Sequence, residues 1–293
     1  MLTGLPARDQ AHSNVRERTM QSEINEALAR LLEASGQYKV LRRIMPATPG
    51  FRPEIGAKIG IVLDVETTGL DTVRDEVIEL AMIKFAYSAD DRILGVVDVF
   101  QALREPSFPI TPEITALTRI TNEMVADREI EPLAVDRFTA DANIIVAHNS
   151  AFDRKFAERF WPAFVHKPWA CSFSGVTWKE HGFASGKLEH LLAACGLFYD
   201  AHRAADDCHA LLALMDPRSG GRRSSPPTQR RELVPSSVIP LGRTPATPRG
   251  HHRTEQARLA QTCSTTPSEA RRVSEPRAYL TDQDQTGRKR IVV

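Results

Sequence analysis

Apolar and polar positions alternate most clearly between residues 57 and 215. Residues 58–65, K-I-G-I-V-L-D-V, form a short and almost unbroken apolar run, as expected of a strand covered on both faces. Gly69 and Asp71 mark a turn. Residues 77–87 and 93–103 then read as two more strands, joined by Ser88-Ala89-Asp90-Asp91. The three runs predict an antiparallel meander that opens a sheet. Residues 111–126 read as helix in pieces, with Thr111 as N-cap and Pro112 in the first turn. A helix over 132–140, a buried strand over 143–147, a helix over 151–160 and a short strand over 169–172 follow. A helix over 187–195 with Gly196 at its end and a last helix over 204–215 complete the pattern. The expectation is an α/β domain with a mixed central sheet flanked by helices.

Upstream, residues 1–19 are polar and expected to be loose. Met20, Ile24, Ala27, Leu28, Leu31 and Leu32 fall at helical spacing. The run breaks at Ser35-Gly36 and resumes with Tyr38, Val40, Leu41 and Ile44 before Pro46, Pro49 and Gly50. Residues 1–56 are thus expected to be a polar N-terminus followed by a short helical lead-in over 20–44, too short to fold alone and so packed on the next unit or on a partner. Downstream, residues 216–293 contain 9 of the chain's 19 prolines and only 11 Leu, Ile, Val or Phe. That composition cannot bury a core, and it predicts a disordered Arg- and Pro-rich tail.

Charge sharpens the same division. The formal net charge of +1 is the sum of −7 over residues 1–215 and +8 over the tail. An acidic body with a basic tail is expected. No apolar run reaches the roughly 18 residues of a membrane span, and the polar stretch before residue 19 has no leader-like apolar segment. The four cysteines are far apart with no C-x-x-C pair, against a disulfide framework or a common zinc spacing. A reduced, cytoplasmic protein with no membrane association is expected.

Candidate chemistry sits in three places. D-V-E-T-T-G, Asp64 to Gly69, ends the first strand, where positions i and i+2 point to one face. Asp64 and Glu66 therefore aim together beside apolar neighbours, a costly pairing unless a cation joins them. Oxygen ligands favour Mg²⁺ or Mn²⁺ over zinc. Thr67 and Thr68 supply hydroxyls and Gly69 a close backbone approach, or else the motif only ends a strand. A-H-N-S-A-F-D, Ala147 to Asp153, runs from a buried strand into a helix whose first turn holds Asp153. H-R-A-A-D-D, His202 to Asp207, opens the last helix. His titrates nearest neutrality, the small Ala204 and Ala205 allow close packing, and Asp206 competes with Asp207 for a functional role. Trp161, Phe164 and Trp169 are core residues or base-stacking platforms.

In this order the three motifs resemble the DEDDh branch of 3′–5′ exonucleases, the family of the epsilon proofreading subunit of bacterial replicative DNA polymerase. The resemblance rests on Asp64 to Gly69, on His148, Asn149, Phe152 and Asp153, and on His202, Ala204 and Asp207. It resolves the last motif toward Asp207. Residues 120–125 also resemble the family's Gly-Ile-Thr segment, with Arg119 where glycine is usual. The resemblance covers about residues 58–215 and implies a ribonuclease-H-like exonuclease fold. It implies two Mg²⁺, replaceable by Mn²⁺, held by Asp64, Glu66, Asp153 and Asp207, with Asp64 shared. It implies His202 as general base and Thr67, Thr68, Gly69, His148, Asn149 and Phe152 at the substrate. The implied partner is nucleic acid with a free 3′ end, single-stranded DNA foremost, and a polymerase catalytic subunit. Two alternatives stand beside it: a ribonuclease trimming RNA 3′ ends, and an inactive module that binds nucleic acid or a polymerase.

Overall fold

Side chains of the first long strand alternate between two helical layers, one on each face of a sheet. The structure is a computed structural model and describes residues 7–216 and 289–292. Strand β2 (Lys58–Thr67) lies at the centre of five strands, between β3 (Val77–Tyr87) and β5 (Ile144–Ala147). β4 (Ile93–Leu103) and β6 (Trp169–Cys171) form the edges, giving the order β4-β3-β2-β5-β6. β2, β3 and β4 are antiparallel, whereas β5 and β6 run parallel to β2. This is the mixed sheet and meander that the hydrophobic pattern predicts.

Ile61, Leu63 and Val65 of β2 pack with Leu80 and Met82 of β3 against α4 (Pro132–Thr139) and α5 (Ser150–Phe160). Val62 points the other way, toward Ile83 and Phe85 and toward α6 (Leu188–Ala194) and α7 (Ala204–Met215). Asp64 and Glu66 share the phase of Val62, so they face the layer that holds α7. Close approach is built in on this side. Cys208 Sγ of α7 lies 3.4 Å from the Ala81 carbonyl of β3, and Ala204 is fully buried. Gly60 is needed opposite Phe85, because a Cβ there would stand 2.3 Å from the ring.

Two expectations are corrected. The N-terminal helix α1 spans Ala7–Ala34, so the polar stretch before residue 20 is not loose. Between Pro6 and Gly36 nothing breaks a helix, and Ala, Arg, Gln and Glu propagate one. Residues 38–43 do not resume the helix but form strand β1 (Tyr38–Arg43). Gly36, at φ 71°, closes α1, the β-favouring Tyr38 and Val40 start the strand, and its last residues Arg42 and Arg43 pair in parallel with β7 (Leu197–Phe198). With only two residues, β7 leaves no periodic signal. β8 (Lys289–Val292) is a strand inside the predicted tail, in a second sheet of order β7-β1-β8. The rest of the expected disordered tail lies outside the described residues. Among them, no helix is long and apolar enough to cross a membrane.

α2 (Pro112–Thr118) is capped as predicted, Thr111 Oγ1 accepting from Ile114 N at 3.4 Å. It ends on Arg119, held at φ 61°, ψ 17°, with its N–H on the Thr115 carbonyl. α3 (Asn122–Val125) follows at once. A left-handed residue with a Cβ costs about 1–2 kcal/mol, which explains why glycine suits this position. Arg119→Gly is therefore expected to stabilise the fold by about 1 kcal/mol, net of glycine's greater unfolded-state freedom. In a thermal melt this reads as a rise of about 2–4 °C, whereas Arg119→Ala gives none.

Candidate active site

The site is built where β2 stops pairing regularly. Glu66 lies opposite Glu79 of β3, but Thr67 lies opposite Val77, so a bulge falls between Glu66 and Thr67. Such bulges twist a strand and re-aim its side chains. Asp64 and Glu66 on this strand meet Asp207 of α7, and one carboxylate oxygen from each lies within 4.8 Å of the others. Asp153, in the first turn of α5, reaches the same region: its Oδ1 accepts from Val65 N at 3.3 Å. Three separate elements thus deliver four carboxylates. Asp206, the competing acid, lies outside the cluster.

Their electrostatics are unfavourable without a counter-charge. Burial, then the charges of Asp153, Asp207, Glu66 and Glu79, raise the Asp64 carboxyl well above its ordinary range. Burial and the neighbouring Asp207, Glu79 and Asp153 push Glu66 up to about 8. Burial likewise raises Asp153 to about 8, although backbone N–H groups, Val65's among them, oppose it. Burial raises Asp207 against the Tyr199 hydroxyl and the His202 backbone. Clustered carboxylate oxygens in apolar surroundings suit a hard cation such as Mg²⁺ or Mn²⁺.

The start of α7 is tightly held. Tyr199 Oη donates to Asp207 Oδ1 at 2.8 Å, and His202 N donates to Asp207 Oδ2 at 2.9 Å. His202 stands at φ 69° with an exposed side chain. Glu79 accepts from Arg203 Nη2 at 2.9 Å, from Arg203 Nε and Ala204 N at 3.1 Å, and from Gln101 Nε2 at 2.7 Å. Burial alone would raise the Glu79 carboxyl, but Arg203 and Gln101 hold it below its ordinary value. Sequence reasoning missed Glu79 and Tyr199. Glu79 left a signal, a lone acid amid the apolar residues that surround it in β3; Tyr199 left none.

The predicted substrate residues are placed unevenly. Thr67 and Thr68 are buried, and their hydroxyls serve the adjoining turn. Thr67 Oγ1 donates to the Gly69 carbonyl at 2.6 Å, while Thr68 Oγ1 lies 3.1 Å from Asp75 Oδ1. Gly69 leaves room for Asp75, whose carboxylate would lie 2.4 Å from a Cβ there. Asn149 adopts φ 76° before α5, and its carbonyl accepts from Phe152 N at 2.9 Å. The Phe152 ring is tilted at 54° to that of Phe156, with centroids 4.9 Å apart. His148 Nδ1 lies 2.8 Å from Ser172 Oγ, and burial lowers its pKa to about 4, so the ring is neutral at physiological pH. Trp161, Phe164 and Trp169 are core.

The site is thus a carboxylate cluster at the end of the central strand of a mixed five-stranded sheet. The family described as "Exonuclease" (RNase_T) matches residues 61–215, and the chain belongs to it. The PolC-type DNA polymerase III of Caldanaerobacter subterraneus subsp. tengcongensis is 30% identical over 145 residues, 45% of this chain and 10% of that protein. The PolC-type polymerase of Latilactobacillus sakei is 43% identical over 99 residues, 33% of this chain and 6% of that protein. The chain thus spans about a tenth or less of these relatives' length. A solved structure of exonuclease X with 5′-overhanging duplex DNA is 25% identical, with a TM-score of 0.42 over 53% of this chain and 88% of that one.

The raised carboxyls set a pH dependence. Glu66 and Asp153 fall from about 8 when folded to 4.5 and 3.8 when unfolded. The folded state binds more protons between those limits, so stability falls as pH rises from about 4 to about 8. In EDTA the melting temperature is expected to drop between pH 5 and pH 8. Mg²⁺ or Mn²⁺ is expected to raise it more at pH 8 than at pH 5. A melt insensitive to both pH and cation would contradict this electrostatic picture.

Proposed function

We propose that residues 57–215 form a metal-dependent 3′–5′ exonuclease domain that releases nucleoside 5′-monophosphates from DNA in proofreading or repair. The observation that carries this reading is the convergence of Asp64 and Glu66 of β2 with Asp207 of α7, half-buried and within 4.8 Å of one another, with buried Asp153 of α5 reaching the same strand at Val65. The relatives named as PolC-type DNA polymerase III support DNA as substrate and a polymerase catalytic subunit as partner. Asp64, Glu66 and Asp207 would hold one Mg²⁺, and Asp64 with Asp153 a second. Bound there, the ions would supply positive charge to the attacking and leaving oxygens of a phosphodiester.

The chain's own residues do the remainder. His202, whose backbone is fixed to Asp207, takes the proton of the attacking water, a step worth about 10²–10⁴-fold. Thr67, Thr68 and Gly69 order the turn beside Glu66, and His148, Asn149 and Phe152 shape the strand-to-helix junction that carries Asp153. Outside the site the acidic body has no basic excess to hold a long duplex, so affinity comes from the 3′-end pocket, the Arg-rich tail or a partner.

Digestion of 3′-labelled single-stranded DNA, duplex DNA and RNA side by side tests the reading. Activity on DNA is expected with Mg²⁺ or Mn²⁺ and none with EDTA. Preference for RNA would move the substrate class, and full activity in EDTA would sink the metal assignment. Asp64→Ala is expected to cost at least about 10³-fold. Asp207→Asn is expected to weaken Mg²⁺ binding as well as turnover. His202→Ala is expected to leave Mg²⁺ binding nearly unchanged while lowering the rate about 10²–10⁴-fold. Loss of metal binding in His202→Ala would make the histidine a ligand instead.

A further inference from the structure

Glu79 adjoins the carboxylate cluster without belonging to it. It is fully buried near the start of β3, directly opposite Glu66, and yet it lies outside the group of oxygens that approach within 4.8 Å. All of its bonds are to donors. Arg203 approaches with both Nε and Nη2, Ala204 with its backbone N–H, and Gln101 from β4 with its amide. A carboxylate so supplied has no lone pairs spare for a metal ion. Three of these four bonds come from one structural point, Arg203 and Ala204 at the start of α7. No side chain of the local sequence caps this helix, and Glu79 accepts the Ala204 N–H in that role from a neighbouring strand.

We infer that Glu79 and Arg203 form a positioning clamp that fixes the start of α7, and thereby sets where Asp207 and His202 stand relative to Asp64 and Glu66. Arg203 lies directly after His202 and four residues before Asp207, whose N–H bonds the Arg203 carbonyl at 3.0 Å. Any slack at Arg203 therefore reaches both residues. The fork matters as well as the charge: a two-pronged guanidinium pair fixes direction, which a lysine ammonium does not. The inference rests on the exonuclease reading for its rate effects but not for its metal effects.

Two variants separate positioning from charge. Glu79→Gln removes a negative charge beside the cluster, whereas Arg203→Lys keeps the charge and loses the fork. An effect carried by charge alone would appear only in the first. The clamp predicts the same behaviour in both: kcat and Mn²⁺ affinity each fall by about 10-fold or more, as when partners that orient metal ligands are lost. KM for a short oligonucleotide stays within about twofold, and the double variant is no worse than the more impaired single variant. Mn²⁺ binding is measured by titration on the intact chain without substrate, and kcat well below each variant's melting temperature.

Three results would overturn the clamp. A raised KM with unchanged kcat in Arg203→Lys would make Arg203 a substrate contact. Loss of Mn²⁺ binding in Glu79→Gln, matching Asp64→Asn, with none in Arg203→Lys would make Glu79 a ligand. Wild-type kcat and Mn²⁺ affinity in both variants, with only the melting temperature lowered, would leave the pair a stabilising contact and nothing more. If Glu79→Gln does not fold, Arg203→Lys and Gln101→Leu decide the same question. If the wild-type chain digests no nucleic acid, the functional reading fails, and the Mn²⁺ comparison still decides the clamp.

Discussion

Glu66 and Glu79 stand opposite each other across β2 and β3, two acids on one face of a buried sheet. Like charges in that position repel, and burial magnifies the cost. The structure resolves one half of the conflict with protein groups. Glu79 takes Arg203, Gln101 and a backbone N–H, which draws the start of α7 down onto the sheet. Glu66 has no equivalent set of donors: it joins Asp64 and Asp207, with Asp153 nearby, in a carboxylate cluster that could hold a cation. The small residues of α7 follow from the same constraint. Only Ala204 and Cys208 let the helix come close enough for Asp207 to reach β2.

Much of this was legible in the sequence. Three apolar runs in residues 58–103, separated by the turn residues Gly69, Asp71 and Ser88 to Asp91, predict the meander. The spacing of Asp64 and Glu66 placed both carboxylates on one side, and the backbone bears that out. Other features were hidden for physical reasons. β7 has two residues, too few for a period, so β1 had no visible partner and was read as helix. Tyr199 acts through a tertiary contact with Asp207 that no local pattern encodes. Thr67 and Thr68 carry hydroxyls that the sequence offers to a ligand, but the turn uses them first.

The lead-in is tied to the same region, although the family match begins at residue 61. β1 pairs with β7, and the residue after β7 is Tyr199. Arg43 bonds Asp200 at 2.8 Å and lies 4.9 Å from the Phe198 ring, while Ala47 N donates to His209 Nδ1 of α7 at 3.2 Å. α1 braces β1 in turn, with Arg42 bonded to Glu26 and Glu33. The segment that presents Tyr199, His202 and Asp207 is therefore held from β3 on one side and from the lead-in on the other.

The central claim is that four acids share a cation-dependent site, and calorimetric titration of the intact chain with Mn²⁺ at pH 7 tests it most directly. Carboxyls held near 8 without a cation must release protons when one binds. Repeating the titration in buffers of different ionisation enthalpy counts those protons. The account predicts saturable binding of two ions per chain with net proton release, both abolished by Asp64→Asn. Absence of saturable binding, or binding with no proton release, would contradict it.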